Sequence, residues 1–347
     1  MKKKLNNYKK AFLTGMMLAL SWLLLTGETR VFRGTSMDYR YNAEFVMVLN
    51  NYLDLKKMYN DEYSFPIPGL ANTSLNEGIC TQMVPQGICS AGNYILISAY
   101  DNGTEERELP YPSVIYILSN IEVRKRTLLT VLELPDSTHA GGLAFDGTYV
   151  WVAKGKTKTC SAIAFDMIEQ AVNSGKICYA VEEYTETVDC GVRASFLAFA
   201  QGYLWIGTST AKAVDGNLRR FSIETDIEGK LQLIQTAQMK IPAHANGITF
   251  SEVDNRLCMA VNCSWSRYLG SKVHLYEAKQ KGNSLIFEKH GYQAFPPMLE
   301  EAFSDGEHVY FLFESAATCY SKTFYHKCVL PVDRVCAVNE KDLFDWI

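Results

Sequence analysis

Three side chains with chemistry to offer, His139, Arg193 and His244, recur at intervals of roughly fifty residues, and each opens a short apolar run. Alignment on them adds Val84 and Met298 to the same column. Two positions further on stand Gln86, Gly141, Ser195, Asn246 and Glu300. Amide, hydroxyl, carboxyl, imidazole and guanidinium groups are hydrogen-bond donors and acceptors, and gathered at one opening they would hold a polar ligand. Glu301 and Glu314 are expected on the same rim, with Trp265 and Tyr320 as aromatic contacts for a partner. A second reading stays open for several of them. A histidine entering a strand can bond a neighbouring backbone, and Arg193 can pair with Glu300 or Glu301, since a buried charge needs a partner. Signatures of catalysis are missing: the chain has no GxSxG, HExxH, P-loop or GxGxxG. Ser209 to Lys212 fits SxxK, but it lies on a predicted loop with no SDN or KTG segment elsewhere.

The elements that must position these groups repeat with them. Five copies of one pattern run from about residue 84 to the C-terminus: VPQGICSAGNYILISAY, HAGGLAFDGTYVWVA, RASFLAFAQGYLWIGT, HANGITFSEVDNRLCMAV and LEEAFSDGEHVYFLF. Each is a short strand, a Gly, Asp or Asn turn and a second strand rich in aromatic and β-branched residues, which is the pattern of a hairpin. A period of this size predicts a propeller, and each copy extends to about four strands. The expectation is an all-β, five-bladed β-propeller, with a six-bladed ring as the alternative. The fifth copy is one strand short, and residues 76–84 are available to complete it and close the ring.

With 347 residues, 48% of them hydrophobic, the chain can bury a sizeable core. A net charge of −4 from 34 basic and 38 acidic residues gives no footprint for nucleic acid. The N-terminus differs: five lysines precede the apolar run AFLTGMMLALSWLLLTG, so residues 1–27 read as a signal peptide or a retained membrane anchor, with the rest of the chain extracytoplasmic. Residues 28–75 read as a linker carrying a short amphipathic helix near 44–60, and 76–347 as the propeller. Ten cysteines suit an oxidising compartment, with Cys80–Cys336, Cys160–Cys178 and Cys319–Cys328 as candidate bridges. Asn72, Asn102 and Asn262 sit in glycosylation sequons.

The fourth copy, with Asn246-Gly247-Ile248 and Phe250, resembles a blade of the senescence-marker and gluconolactonase family of metal-dependent propeller hydrolases. That resemblance implies a calcium or zinc ion on Asn246 and Glu300, with Glu301 and His244 as further candidates, serving a lactonase or phosphotriesterase type of hydrolysis. The family has six blades and uses a second Asn that the aligned column lacks. Residues 84–338 are similar as a whole to exported bacterial propellers of unassigned activity that carry PQG-I, HxGGLAxDG, NGI-F, PPM-E-E and FESAA in succession. Here these are Pro85 to Ile88, His139 to Gly147, Asn246 to Phe250, Pro296 to Glu301 and Phe313 to Ala317. The resulting expectation is an extracytoplasmic propeller that binds a glycan, peptide or protein at its channel mouth, without catalysis or cofactor. The alternative is the divalent-metal hydrolase.

Overall fold

A single carboxylate organises the turn between the first two strands of a repeat. In the computed structural model Asp146 Oδ1 accepts the backbone N–H groups of Thr148 and Tyr149, both at 2.7 Å, while Oδ2 accepts the indole N–H of Trp151 at 2.7 Å. Asp305 repeats this with Glu307, His308 and the hydroxyl of Tyr310. Gly147 and Gly306 follow at φ 99° and 92°, a region that side chains disfavour. The aspartate therefore closes the turn and also satisfies the polar atom of an aromatic ring buried in the second strand. Trp151 and Tyr310 are both fully buried.

The structure describes residues 34–103, 107–122, 124–210, 214–282, 284–321 and 327–345. The expected export segment, 1–27, and Lys212 lie outside them. Among the described residues no helix is long and apolar enough to cross a membrane. Two helices come first, α1 (Asn42–Asn51) and α2 (Leu53–Met58), followed by β1 (Tyr59–Pro66) and a small hairpin of β2 (Thr73–Leu75) and β3 (Gly78–Cys80). The first blade is β4 (Met83–Ala91), β5 (Tyr94–Asp101), β6 (Val114–Ser119) and β7 (Leu128–Glu133). In the second, β8 (Leu143–Phe145), β9 (Tyr149–Ala153) and β10 (Thr159–Ala164) precede a helix α3 (Phe165–Asn173) and β11 (Cys178–Ala180), and β12 (Glu186–Asp189) is its outer strand. The third is β13 (Phe196–Ala200), β14 (Tyr203–Thr208), β15 (Gly216–Thr225) and β16 (Leu231–Ile241). The fourth is β17 (Ala245–Val253), β18 (Arg256–Cys263), β19 (Ser271–Lys281) and β20 (Ser284–Phe295). The fifth is β21 (Leu299–Ser304), β22 (His308–Phe313) and β23 (Arg334–Asn339), with β1 on its outer edge.

This is the expected five-bladed propeller, and the six-bladed alternative does not hold. Five separate apolar cores fill the five junctions between neighbouring blades. Tyr310 and Phe303 of the fifth blade meet Ile95 and Tyr116 of the first, and Trp205 of the third meets Met259 and Ile248 of the fourth. Each fully buried Val, Leu, Ile or Phe contributes about 1.5–3 kcal/mol, so these junctions supply most of the cohesion.

The ring closes through the N-terminal segment, as expected, but with different residues. It is β1 that pairs antiparallel with β23, from Tyr59 opposite Val338 to Pro66 opposite Arg334. Residues 76–84 instead contribute β3 and the start of β4, so the propeller takes in part of the expected linker, 28–75. Pro66 obscured the strand in sequence, yet proline is tolerated at the end of an outer strand. A bulge between Asn60 and Phe65 interrupts the ladder, and Ser64 Oγ mends it by accepting the N–H of Ala337 at 3.0 Å and donating to the carbonyl of Asn60 at 2.7 Å. The second copy also departs from expectation. Its segment 176–184 does not complete its own blade, because α3 carries the chain back and β11 adds in parallel to β7 of the first blade. The predicted helix appears as α1 and α2, which bury Phe45, Val48, Leu55 and Met58 against the junction of blades four and five.

All ten cysteines are free thiols in the structure. Cys80 contacts Asp101 and lies in a different core from Cys336, so the expected Cys80–Cys336 neighbours are not brought together. Cys160 meets Cys190 rather than Cys178, whose sulfur faces Glu133. Cys328 contacts the carbonyl of Arg267, and it and Cys319 are not joined in a disulfide. Asn262 is fully buried and donates to the carbonyl of Glu300 at 3.0 Å, so this sequon cannot carry a sugar in the folded chain.

Where the closing strand meets the ring, Asp333 is fully buried. Its Oδ2 accepts the N–H groups of Arg40 and Tyr41 at 2.5 and 2.6 Å, and its Oδ1 lies 3.0 Å from Arg334 Nε. Arg334 continues the knot by donating to Asn42 and stacking on Tyr39 and Phe45. Removing one partner of a buried ion pair costs about 3–5 kcal/mol. Asp333→Ala is therefore expected to lower the stability of the full chain by about that amount, measured as a fall in the urea midpoint with the slope unchanged; a midpoint equal to that of the parent chain would refute the role given to this knot.

Candidate functional site

The side chains facing the channel are placed there by breaks in the ladders. The innermost strand of three blades carries a bulge: between Pro85 and Ile88 in β4, between Ala245 and Gly247 in β17, and between Leu299 and Ala302 in β21. An inserted residue has no partner across the ladder and is re-aimed away from it. The residues displaced in this way are Gln86, Asn246 and Glu300, three members of the polar column read from the sequence. His244 and Met298 precede two of the bulges at φ 60° and 63°.

These residues converge with the rest of their column. A cavity of about 240 Å³ at one end of the axis is lined by Gln86, Ser195, Asn246 and Glu300, with His139 and Arg193 at its rim. Lys156 and Ser209, from the loops after β9 and β14, complete it. Lys156 was not singled out in the sequence, and Ser209 only as the start of the SxxK match; both follow the second strand of a repeat, where alignment of strand ends would have found them as lining residues. His244 does not line the cavity; its ring lies 5.5 Å from that of Trp265, which is 37% exposed.

Behind the cavity wall a second carboxylate shares the site. Gln86 Nε2 donates to Glu314 Oε2 at 2.9 Å, and the Tyr320 hydroxyl donates to the same oxygen at 3.4 Å. Glu314 and Glu300 hydrogen-bond each other through their carboxyl groups, and Asn246 Nδ2 donates to Glu300 Oε1 at 3.3 Å. Burial pushes Glu300 well above the ordinary carboxylate range, helped by the neighbouring Glu314. Burial also pushes Glu314 up to about 7, against the pull of its bonds from Gln86 and Tyr320. The pair is one in which a proton is shared, because two buried carboxylates this close cannot both ionise cheaply. On the opposite wall burial, and then the charge of Lys156, lower the pKa of His139, so its imidazole is neutral near pH 7. Tyr100 spans the two sides, packing on His139 with ring centroids 4.5 Å apart and hydrogen-bonding Tyr320.

Glu301 has another task. Its Oε2 accepts the N–H groups of Ile88 at 2.8 Å and Leu143 at 2.9 Å, which belong to the inner strands of blades one and two. Only 1% exposed, it stands in the column that Gly87, Gly142 and Gly247 occupy in three other blades. A Cβ on Gly142 would come within 2.7 Å of Glu301 Oε1, so this glycine leaves room for the carboxyl, while Gly87 and Gly247 allow the backbones of neighbouring blades to approach closely. Burial raises its pKa well above the usual range despite the backbone N–H groups that pull it down. The residue after each member of that column lines a smaller cavity of about 130 Å³ at the far end of the axis, with Phe145, Phe199 and Phe250. Glu301 therefore stands between the two cavities.

The metal set implied by the family resemblance does not fit. Asn246 turns an N–H toward Glu300, Glu300 is held by Glu314, Glu301 is committed to backbone amides and His244 faces Trp265. Among the described residues no three His, Cys, Asp or Glu side chains gather as a metal would require. What the cavity offers is a set of amide, hydroxyl and imidazole groups beside a singly protonated carboxyl pair, with cations at one rim.

No protein-family model matches the sequence, and no curated protein matches it. Solved structures align with the chain at low similarity. Glutaminyl cyclase of Myxococcus xanthus aligns with 80% of this chain and 96% of its own at 10% identity and TM-score 0.42. Hydrazine synthase of Kuenenia stuttgartiensis aligns over 66% of this chain at 10% identity and TM-score 0.35, and this chain spans 55% of its length. A proposed 6-phosphogluconolactonase of Bacteroides uniformis aligns over 65% of this chain and 62% of its own at 13% identity and TM-score 0.35. Likeness at this level carries no activity across.

Two outcomes follow from the geometry. Glu301→Ala leaves two buried N–H groups unpaired and is expected to cost about 2–4 kcal/mol in chemical denaturation; a loss within error of zero would show that the axial carboxyl is idle. Glu314 binds its proton more tightly folded than unfolded, so the folded state holds the extra proton between about pH 4.5 and 7 and stability falls as pH rises through that window. Glu314→Gln is expected to flatten that fall, read from denaturant midpoints at several pH values, and an unchanged slope would contradict it.

Proposed function

We propose that this chain is an extracytoplasmic binding module whose axial mouth receives one polar residue of a larger ligand, a sugar unit of a glycan or the end of a peptide, without turning it over. The observation that carries this reading is the convergence of Gln86, Ser195, Asn246 and Glu300, from four separate blades, on one cavity. Its size sets the ligand. At about 240 Å³ it holds roughly eight waters at 30 Å³ each, which is room for one ring or one side chain and below the usual range for a drug-sized molecule.

The rest of such a ligand would lie across the rim. Trp265 and Tyr268 are 37% and 59% exposed, and aromatic rings of this kind suit contact with a sugar or an apolar side chain. Lys156 and Arg193 favour a ligand that carries negative charge on their side, while the carboxyl pair and Gln86 suit hydroxyl or amide groups opposite. The export segment read in the sequence supports a cell-envelope or extracellular location for that ligand, and the even charge balance supports a partner other than nucleic acid.

Calorimetric titration of the purified chain with envelope-derived glycan fragments and short peptides tests this. Saturable binding is expected, weakened at least about tenfold, or 1.4 kcal/mol, by Gln86→Leu and by Arg193→Ala. Binding that both variants retain would move the site elsewhere. Lactone or phosphotriester hydrolysis that depends on a dialysis-resistant metal and disappears in Asn246→Ala would establish the hydrolase instead.

A further inference from the structure

Blade two holds a pair of thiols poised for chemistry that the channel mouth does not use. Cys160 is on β10, and Cys190 follows the last residue of β12, the outer strand beside it. Thr159 pairs with Asp189 and Cys160 with Val188, so Cys190 is the next residue out on the side chain face shared by Cys160 and Val188. All three lie in the one core between blades two and three. The two sulfurs are 3.8 Å apart, and the N–H of Cys190 bonds the carbonyl of Lys158 at 2.8 Å, which holds the second thiol in place.

We propose that Cys160 and Cys190 form a redox-active dithiol that an external disulfide converts into a disulfide bond, clamping the outer strand β12 onto β10. The sulfurs need to close to about 2.05 Å. The strand that must move is short and lies at the blade's edge, with Glu186 half-buried and Thr187 and Asp189 exposed, so the adjustment disturbs little packing. Cys178 is not a competitor, since its strand adds to blade one and its sulfur lies against Glu133 in another core.

The exchange is balanced. The Cys190 thiolate attacks one sulfur of the external disulfide, forming a mixed disulfide and releasing the first thiolate. Cys160, once its proton has passed to solvent, attacks the Cys190 sulfur and expels the second. Two electrons leave the protein, the external disulfide is reduced to two thiols, and the two protons end on them. Cys190 is the first nucleophile because it is the less buried of the two, 4% exposed against 0%, beside the outer strand that opens most easily, and because the hydrogen bond from Cys160 holds its pKa below the ordinary thiol value. This inference rests on the geometry of the pair and stands apart from the binding reading.

The test uses the purified full chain treated with oxidised glutathione and digested under non-reducing conditions with trypsin and a glutamate-specific protease. Cleavage after Lys176 separates Cys160 from the rest, and cleavage after Glu182, Glu183 or Glu186 separates Cys178 from Cys190. The expected product is a crosslinked peptide pair containing Cys160 and Cys190, lost on reduction. Amide exchange in β12 is expected to slow at least about tenfold in the oxidised protein, the low end for a crosslink that contributes a few kcal/mol. A link to Cys178, a mixed disulfide on Cys190 that Cys160 never resolves, or complete alkylation of both thiols after oxidant treatment would each overturn the proposal.

Discussion

The carboxyl group of Glu301 answers the constraint that every closed ring of sheets meets at its axis. The innermost strand of a blade has a partner on one side only, so its other edge carries backbone N–H groups into a channel too narrow for bulk water. Here the groups of Ile88 and Leu143 end on one acid from a third blade. The contact is strong because its donors are fixed and the surroundings exclude water, and a missing acceptor would leave those donors unpaired at a cost near that of a lost buried hydrogen bond. Gly142 in blade two makes the space for the carboxyl, and Gly87 and Gly247 at the matching positions let neighbouring backbones come close. The fold is therefore asymmetric at its centre: one blade supplies the plug, and glycines in three others allow the close packing around it.

That asymmetry sets up the polar mouth. With the axis blocked by Glu301, the bulges at Gln86, Asn246 and Glu300 face a shallow cavity rather than an open pore. Burial then governs the acids that line it. Glu300 and Glu314 are buried close together, and the cheapest arrangement is a shared proton bracketed by Gln86, Asn246 and Tyr320. The mouth consequently presents hydrogen-bonding groups and a carboxyl pair that keeps one proton, which is the chemistry of recognising hydroxyls and amides, while its rim carries the positive charge of Lys156 and Arg193.

Ring closure depends on contacts far from this axis. Strand β1 completes the fifth blade, and Asp333 with Arg334 holds the segment that leads into it. These are long-range contacts between the first described residues and the last, so the final seam joins only when both ends of the chain are present. Such a seam is a place where loop-closure entropy must be recovered by specific bonds, and the fully buried aspartate with two backbone N–H partners is suited to that.

Much of this was legible without coordinates, because a periodic fold writes its period into the chain. The number of blades, the hairpins and the column of Gln86, Ser195, Asn246 and Glu300 follow from repeated apolar runs, turn residues and the aligned polar positions between them. The identity of the closing strand did not, since Pro66 and a bulge hide the alternation that marks β1. Nor did the roles of neighbours: Glu300 and Glu301 are adjacent in sequence, yet one faces the cavity and the other the backbone of two blades. Cys160 could be matched to Cys178 on the assumption of consecutive strands, and an inserted helix sent Cys178 to another sheet. The repeat determines local hydrogen bonding and which face of a strand is apolar, and these are properties of a few residues at a time. Which groups from distant repeats share one small, dry volume is decided only when the sheets pack, because burial and proximity are what set partners and pKa values there.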